Sequence, residues 1–300
     1  MKHLTPKQQR RKQAAVERKH STPKPKTQDK PVPINKVPVT DGERVQKVLA
    51  RGGMGSRREI ERWIDEGRIK VNGAVISQGT RLKQGDKLQL NDRLVNWEKF
   101  AQQATRVLLY HKAVGEVVTR NDPDNRPVIF KQLPELDNER WIAVGRLDIN
   151  TSGLLLVTNN GELANRLMHP KSEVQREYAV RILGNVSDAT LETLKTGVML
   201  EDGMAKFDEI HFMGGEGANK WYHVIVSEGR NRLVRRLWES QQLMVSRLTR
   251  VRYGEIVLPE GLKTSRYYEL SNDELDLLFE MVGLPKEKHQ AMLAPQRRKR

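Results

Sequence analysis

The chain has 300 residues, with 53 Lys and Arg against 38 Asp and Glu and a formal net charge of +15. It contains no cysteine, which excludes disulfides, a thiolate nucleophile, iron–sulfur clusters and cysteine-based zinc sites. The longest aliphatic run, Leu154 to Val157, is far short of the roughly 20 apolar residues that cross a bilayer. No apolar segment follows the basic start as it would in a secretory leader, so a cytoplasmic protein without membrane contact is expected. A positive field of this size favours polyanions, because neutralised phosphates release counterions, and nucleic acid is the first partner to consider.

Residues 1–42 read as a disordered basic tail. The first forty hold eleven Lys or Arg against Glu17 and Asp29, with several prolines and almost no hydrophobic periodicity. From Glu43 the pattern becomes helical: Val45, Val48 and Leu49 share a face, and Gly52, Gly53 and Gly55 end the helix. Ser56 and Glu59 form a capping box for a second helix with Ile60, Trp63 and Ile64 as its apolar stripe and Gly67 as its stop. Arg68 to Val71 alternates like a strand, Asn72-Gly73 is a type I′ turn, and Ala74 to Ile76 returns. Arg51, Arg57, Arg58, Arg62, Arg68 and Lys70 decorate this helix–helix–hairpin unit and are candidate phosphate contacts. Residues 91–105 lack periodicity and read as a linker, which places the small domain and its linker at 43–104.

The second domain, 105–283, opens with the apolar strand Val107 to Tyr110 and continues with short strands and helices in mixed order. Alternation at Tyr178 to Ile182 and at Trp221 to Val226 predicts an α+β domain around a mainly antiparallel, mixed sheet flanked by helices. Thr151-Ser152-Gly153 reads as a break before the strand Leu154 to Val157, and a last helix starts at the capping box of Ser271 and Glu274. Residues 284–300 form a second basic tail. The seven histidines show no metal-ligand spacing, and Gly214, Gly215 and Gly217 lack the Lys-Ser/Thr pair of a phosphate loop and read as a hairpin tip. Neither a metal nor a small-molecule cofactor is expected.

Asp148 lies in the polar run Gly145-Arg146-Leu147-Asp148, and an aspartate in such a turn commonly only binds neighbouring amides. The whole run from Gly145 to Glu162, however, resembles the signature of the ribosomal RNA pseudouridine synthases. Arg176-Glu177-Tyr178-Ala179-Val180 and Glu228 to Leu237 match the same family in order and spacing. The stretch from about Glu43 to Leu90 resembles the S4 RNA-binding domain, through Val45 to Leu49, Ser56 to Glu59 and Gly67 to Gly73.

These resemblances imply an isomerase that turns one uridine of ribosomal RNA into pseudouridine. The large-subunit branch of the family, and so 23S RNA, is the expected target, with 16S RNA as the alternative. They imply Asp148 as the catalytic carboxylate, Tyr178 against the detached base and Arg235 paired with Asp148. Arg146 would fill the gap left by an extruded nucleotide, and Arg232 and Arg236 would face phosphates. Ala113, where the family usually has proline, and Asn160, where aspartate is common, depart from the pattern without touching these positions. A non-catalytic RNA-binding factor and a nucleoside glycosylase are the rival readings, and a monomer is expected.

Overall fold

The computed structural model describes residues 42–101, 104–137 and 139–286. Nearly all of both basic tails therefore lies outside the described residues.

Residues 42–101 fold around their own core. β1 (Glu43–Arg44) leads straight into α1 (Val45–Arg51), whose Val45, Val48 and Leu49 are buried. α2 (Arg57–Asp65) starts at the capping box: Ser56 accepts the Glu59 amide at 3.1 Å, and Glu59 accepts the Ser56 amide at 3.2 Å. It ends in a Schellman turn, with Gly67 at φ 70°, its amide donating to Ile64 O and the Arg68 amide to Trp63 O, each at 3.0 Å. β2 (Ile69–Val71) and β3 (Ala74–Val75) are joined by Asn72 at φ 53° and Gly73 at φ 82°, the two positive values a type I′ turn needs. β4 (Arg81–Leu82) pairs with β1, and β5 (Leu88–Leu90) with β2.

The expected linker over 91–105 is mostly structured. β6 (Arg93–Val95) pairs with β5, and a short 3-10 turn, Trp97–Ala101, lays Trp97 and Phe100 on the small core. Its sequence hides this because Leu94 on the edge strand is exposed, while burial comes from two aromatics three residues apart and not from an alternating pattern.

The larger domain contains β7 (Val107–Lys112), β8 (Ile142–Ala143), β9 (Ser152–Thr158), α3 (Gly161–Met168), β10 (Arg176–Leu183) and α4 (Asp188–Thr196). It continues with β11 (Val198–Leu200), β12 (Gly203–Ala205), β13 (Glu209–Gly214), β14 (Asn219–Val226), α5 (Leu233–Glu239), β15 (Met244–Tyr253), β16 (Ile256–Val257), β17 (Tyr267–Glu269) and α6 (Asn272–Met281). A nine-stranded sheet runs β13-β14-β10-β15-β9-β7-β17, with β8 and β16 attached to β9 and β15. Its pairs are antiparallel except β15 with β9, so the class is α+β with a mixed, mainly antiparallel sheet.

Two cores meet along that parallel pair. On one side, Val180, Ile182, Val224 and Leu248 pack with Leu194 of α4 and Leu237 and Trp238 of α5. On the other, Leu109, Leu154 and Leu156 pack with Leu163 of α3 and Leu275 and Leu278 of α6. The intervening residues of β7 and β9, Leu108, Tyr110, Leu155 and Val157, bury the opposite face against Ile129, Trp141 and Leu147. Burial on both faces is why these two strands read as continuous apolar runs. The two domains touch through Lys47 Nζ and Glu162, at 2.9 Å.

Strand β9 begins at Ser152, two residues before the expected start, so Gly153 lies within the strand and does not break it. Gly153 pairs with Arg250 at φ 106°, and a Cβ there would stand 2.2 Å from Arg250 O and 2.6 Å from Arg250 N. Only glycine lets the two halves of the sheet approach this closely. Gly153→Ala is expected to cost about 3 kcal/mol of stability, read as a lower urea midpoint; an unchanged midpoint would show that β15 can step aside.

Candidate active site

At the join of β9 and β15 lies a cleft of about 860 Å³, lined by the 145–148 loop, Tyr178 of β10, the 228–234 turn and Leu248 and Arg250 of β15. Of the residues singled out in the sequence, Asp148, Tyr178, Arg146 and Arg232 line it; Arg235 and Arg236 do not.

The loop is built by alternation. Arg146 is exposed, Leu147 is buried against Trp141, Tyr110 and Leu155, and Asp148 is half-buried at the cleft. Leu147 therefore fixes which neighbour faces outward. The backbone that follows has every carbonyl occupied. Asp148 O accepts from Lys112 Nζ at 3.0 Å and from the Thr151 amide at 3.0 Å; Ile149 O accepts the Gly115 amide at 2.8 Å. Asn150 O accepts from Arg235 Nη2 at 2.8 Å, and Thr151 O from Lys112 Nζ at 2.8 Å.

Arg235 thus does not form the expected ion pair with Asp148. Its guanidinium is buried and spent on two carbonyls, Asn150 O and Val245 O at 3.0 Å. Burial holds its pKa below the usual arginine value, Arg232 adds to that, and the charge of Asp148 opposes it. The attraction to Asp148 is through space, and the contact is with the loop's backbone. Helix geometry accounts for this: Arg235 sits in the first turn of α5 on the side that packs into the sheet.

Arg236 points away from the cleft and holds Asp202 with two bonds of 2.9 Å. Arg232, in the left-handed conformation at φ 50° just before α5, keeps its place at the cleft while bonding Glu239 at 3.2 Å. Tyr178 is half-buried and packs against the core under α4 and α5 and against the cluster of Leu108, Tyr110, Trp141 and Leu147. In the small domain the basic face is partly neutralised. Arg51 pairs with Glu43, Arg68 with Glu66 at 3.2 Å and Lys70 with Asp92 at 2.6 Å. Arg57, Arg58 and Arg62 are exposed and form no ion pair among the described residues.

Four cleft or loop residues were not singled out from the sequence: Lys112, Arg176, Arg250 and Tyr253. The signal for the three cations was a charge in phase with apolar neighbours, as with Lys112 two after Tyr110 and Arg250 two after Leu248. Lys112 is fully buried, and burial pushes its ammonium down to about 8, against the pull of Glu116 and Asp148. Among the described residues no cluster of three side chains could hold a metal ion, and no helix is long and apolar enough to cross a membrane.

Residues 106–240 match the RNA pseudouridylate synthase family and residues 43–88 the S4 domain. A relative in Escherichia coli (strain K12), named ribosomal large subunit pseudouridine synthase B, is 55% identical over 247 residues, 82% of this chain and 85% of its own. The relative of the same name in Pseudomonas aeruginosa is 57% identical over 249 residues; the match covers 83% of this chain but 64% of that longer protein, just under two thirds. A crystal structure of a pseudouridylate synthase is 25% identical, with a TM-score of 0.55 over 79% of this chain and 99% of its own.

The depressed Lys112 fixes the sign of a pH effect. A lysine in the unfolded chain titrates near 10.4, so between pH 8 and 10 the unfolded state binds more protons and stability rises with pH. Tyr110 and Tyr268, both raised, lower stability only above their usual value of about 10. Urea unfolding from pH 7 to 10 is expected to show a gain in the native protein that Lys112→Met lacks; equal slopes would assign the gain elsewhere.

Proposed function

Because the chain belongs to the RNA pseudouridylate synthase family, we propose that it isomerises one uridine of 23S ribosomal RNA to pseudouridine with Asp148 as the catalytic carboxylate. The large-subunit target follows from the names its relatives carry. The observation that supports the assignment most is that Asp148 and Tyr178, far apart in sequence, face one cleft large enough for a nucleotide.

A uridine inside a stem cannot present its glycosidic bond to a loop carboxylate, so the nucleotide is extruded, at a cost of a few kcal/mol in lost stacking. Arg146, exposed at the mouth of the cleft, has the planar guanidinium that stacks in the vacated place. Asp148 then attacks the ribose at C1′ or takes a proton from the sugar; either route breaks the bond to N1 of uracil. The base turns over against Tyr178 and its C5 bonds to C1′ as Asp148 departs from that carbon, or as it returns the sugar proton; the C5 proton is then lost to solvent and N1 takes one up. Arg235 is a positioning residue in this scheme, holding the loop through Asn150 O. Arg232 at the cleft, and Arg57, Arg58 and Arg62 in the S4 domain, contact phosphates, while Arg236, Arg51, Arg68 and Lys70 serve mainly their internal partners.

Tritium release from uridine labelled at C5, in unmodified 23S and 16S transcripts, tests the reading. Release from 23S alone, abolished by Asp148→Asn with RNA binding retained, is the expected result. Release from 16S alone would move the target, free uracil would mean a glycosylase, and tight binding without release would favour a non-catalytic factor. For the S4 surface, Arg58→Ala combined with Arg62→Ala is expected to weaken binding and to flatten the dependence of log Kd on log salt by about 1.4 to 1.8, the loss of two phosphate contacts. A parallel displacement with unchanged slope would remove these arginines from the interface.

A further inference from the structure

We propose that Arg176 and Arg250 form a phosphate subsite in the wall of the cleft, which seats a backbone phosphate flanking the extruded uridine. The inference rests on the isomerase reading above and adds a binding element to it.

Both residues line the cleft, yet they are only 8% and 2% exposed. Buried arginines are ordinarily matched by carboxylates, and neither of these has an ion pair among the described residues. Arg176 donates to Ser227 O at 3.1 Å and to the Tyr253 hydroxyl at 3.5 Å; Arg250 Nε donates to Leu154 O at 2.7 Å. All three acceptors are neutral, and Arg250 Nη2 is buried with no acceptor. Of the cleft's carboxylates, Asp122 is occupied by Arg126 at 2.6 Å and Glu228 by Arg230 at 2.8 Å, and Asp148 forms no ion pair with either arginine. Two positive charges thus border the cleft without a counter-charge of their own.

They are also held still. Both guanidiniums lie over the ring of Tyr253, 5.2 and 5.1 Å from its centroid, and that ring is fixed by its hydroxyl donating to Leu167 O at 2.7 Å. Arg250 is the direct partner of Tyr178 across β10 and β15, and Arg176 precedes Tyr178 by two residues on β10. The two cations therefore frame the tyrosine proposed to hold the base. A nucleotide whose base rests there carries a phosphate on each side, and a phosphate oxygen is the acceptor that pairs with fixed guanidinium donors.

The test modifies the RNA. The shortest 23S-derived stem that the full chain converts is synthesised with one uncharged methylphosphonate linkage, placed 5′ of the target uridine, 3′ of it, or at a remote position. One flanking substitution is expected to lower kcat/KM of the native protein about tenfold or more, the worth of a charge-assisted hydrogen bond, and the remote one much less. In Arg250→Met and Arg176→Met the normal stem loses activity by a similar factor, and the neutral linkage adds less than about twofold, since the partner charge is already gone. Arg250→Lys, which keeps the charge, is expected to retain part of the sensitivity. Which flanking position responds identifies the phosphate. Losses that multiply in full, or no loss from either flanking linkage, overturn the subsite while leaving the isomerase reading intact. If the full chain converts no 23S-derived RNA, both are overturned. If Arg250→Met does not fold, the native protein and Arg176→Met alone decide the matter.

Discussion

Four consecutive backbone carbonyls, from Asp148 to Thr151, govern the site. Each is claimed by a donor from outside its own turn: Lys112 from β7, the Gly115 amide beyond it and Arg235 from α5. Buried carbonyls demand partners, and leaving one unpaired costs about 1–3 kcal/mol. A loop with all of them satisfied from two directions has one low-energy arrangement. The carboxylate of Asp148 is thereby aimed by its backbone, while its own oxygens stay out of the network.

That loop is the place where the two halves of the sheet are joined. Lys112 belongs to the β7–β9 half, Arg235 to the helix that covers the β10–β15 half, and both close on the residues that enter β9. Gly153 then lets β15 lie against β9 at a separation no side chain permits. Fold and site are in this sense one constraint: anything that parts the halves also releases the loop. Lys112 is costly to bury, as its depressed pKa records, and its bonds to Asp148 O and Thr151 O, across from β7, offset that cost only while the strands stay together.

Much of this was legible in the sequence, wherever a local rule decided the outcome. The capping boxes at Ser56 and Ser271, the Asn72-Gly73 turn and the stop at Gly67 all depend on interactions within about six residues, and each formed as read. Asp148 and Tyr178 could be named from motif order. What sequence could not show was direction across long separations. Arg235 and Arg236 are adjacent arginines at the start of one helix, yet one turns inward to Asn150 O and the other outward to Asp202. The cations of β7 and β15 look like surface charge until the sheet buries them. Trp97 and Phe100 belong to the small core because a 3-10 turn folds them back, and no periodicity announces that.

The missing ion pair between Asp148 and Arg235 suits the proposed chemistry better than the expected one would. A bidentate pair would turn both carboxylate oxygens towards the guanidinium, whereas attack at a sugar needs an oxygen lone pair in line with the reacting carbon. With Arg235 bonded to Asn150 O, its guanidinium meets the charge of Asp148 only through space. Lys112 likewise bonds the carbonyls of Asp148 and Thr151 and meets the charge of Asp148 only through space. The two cations thus supply field and orientation while leaving the nucleophilic oxygens to the substrate. In the proposed reaction, the ribose that enters the cleft meets a carboxylate fixed in direction and not yet engaged.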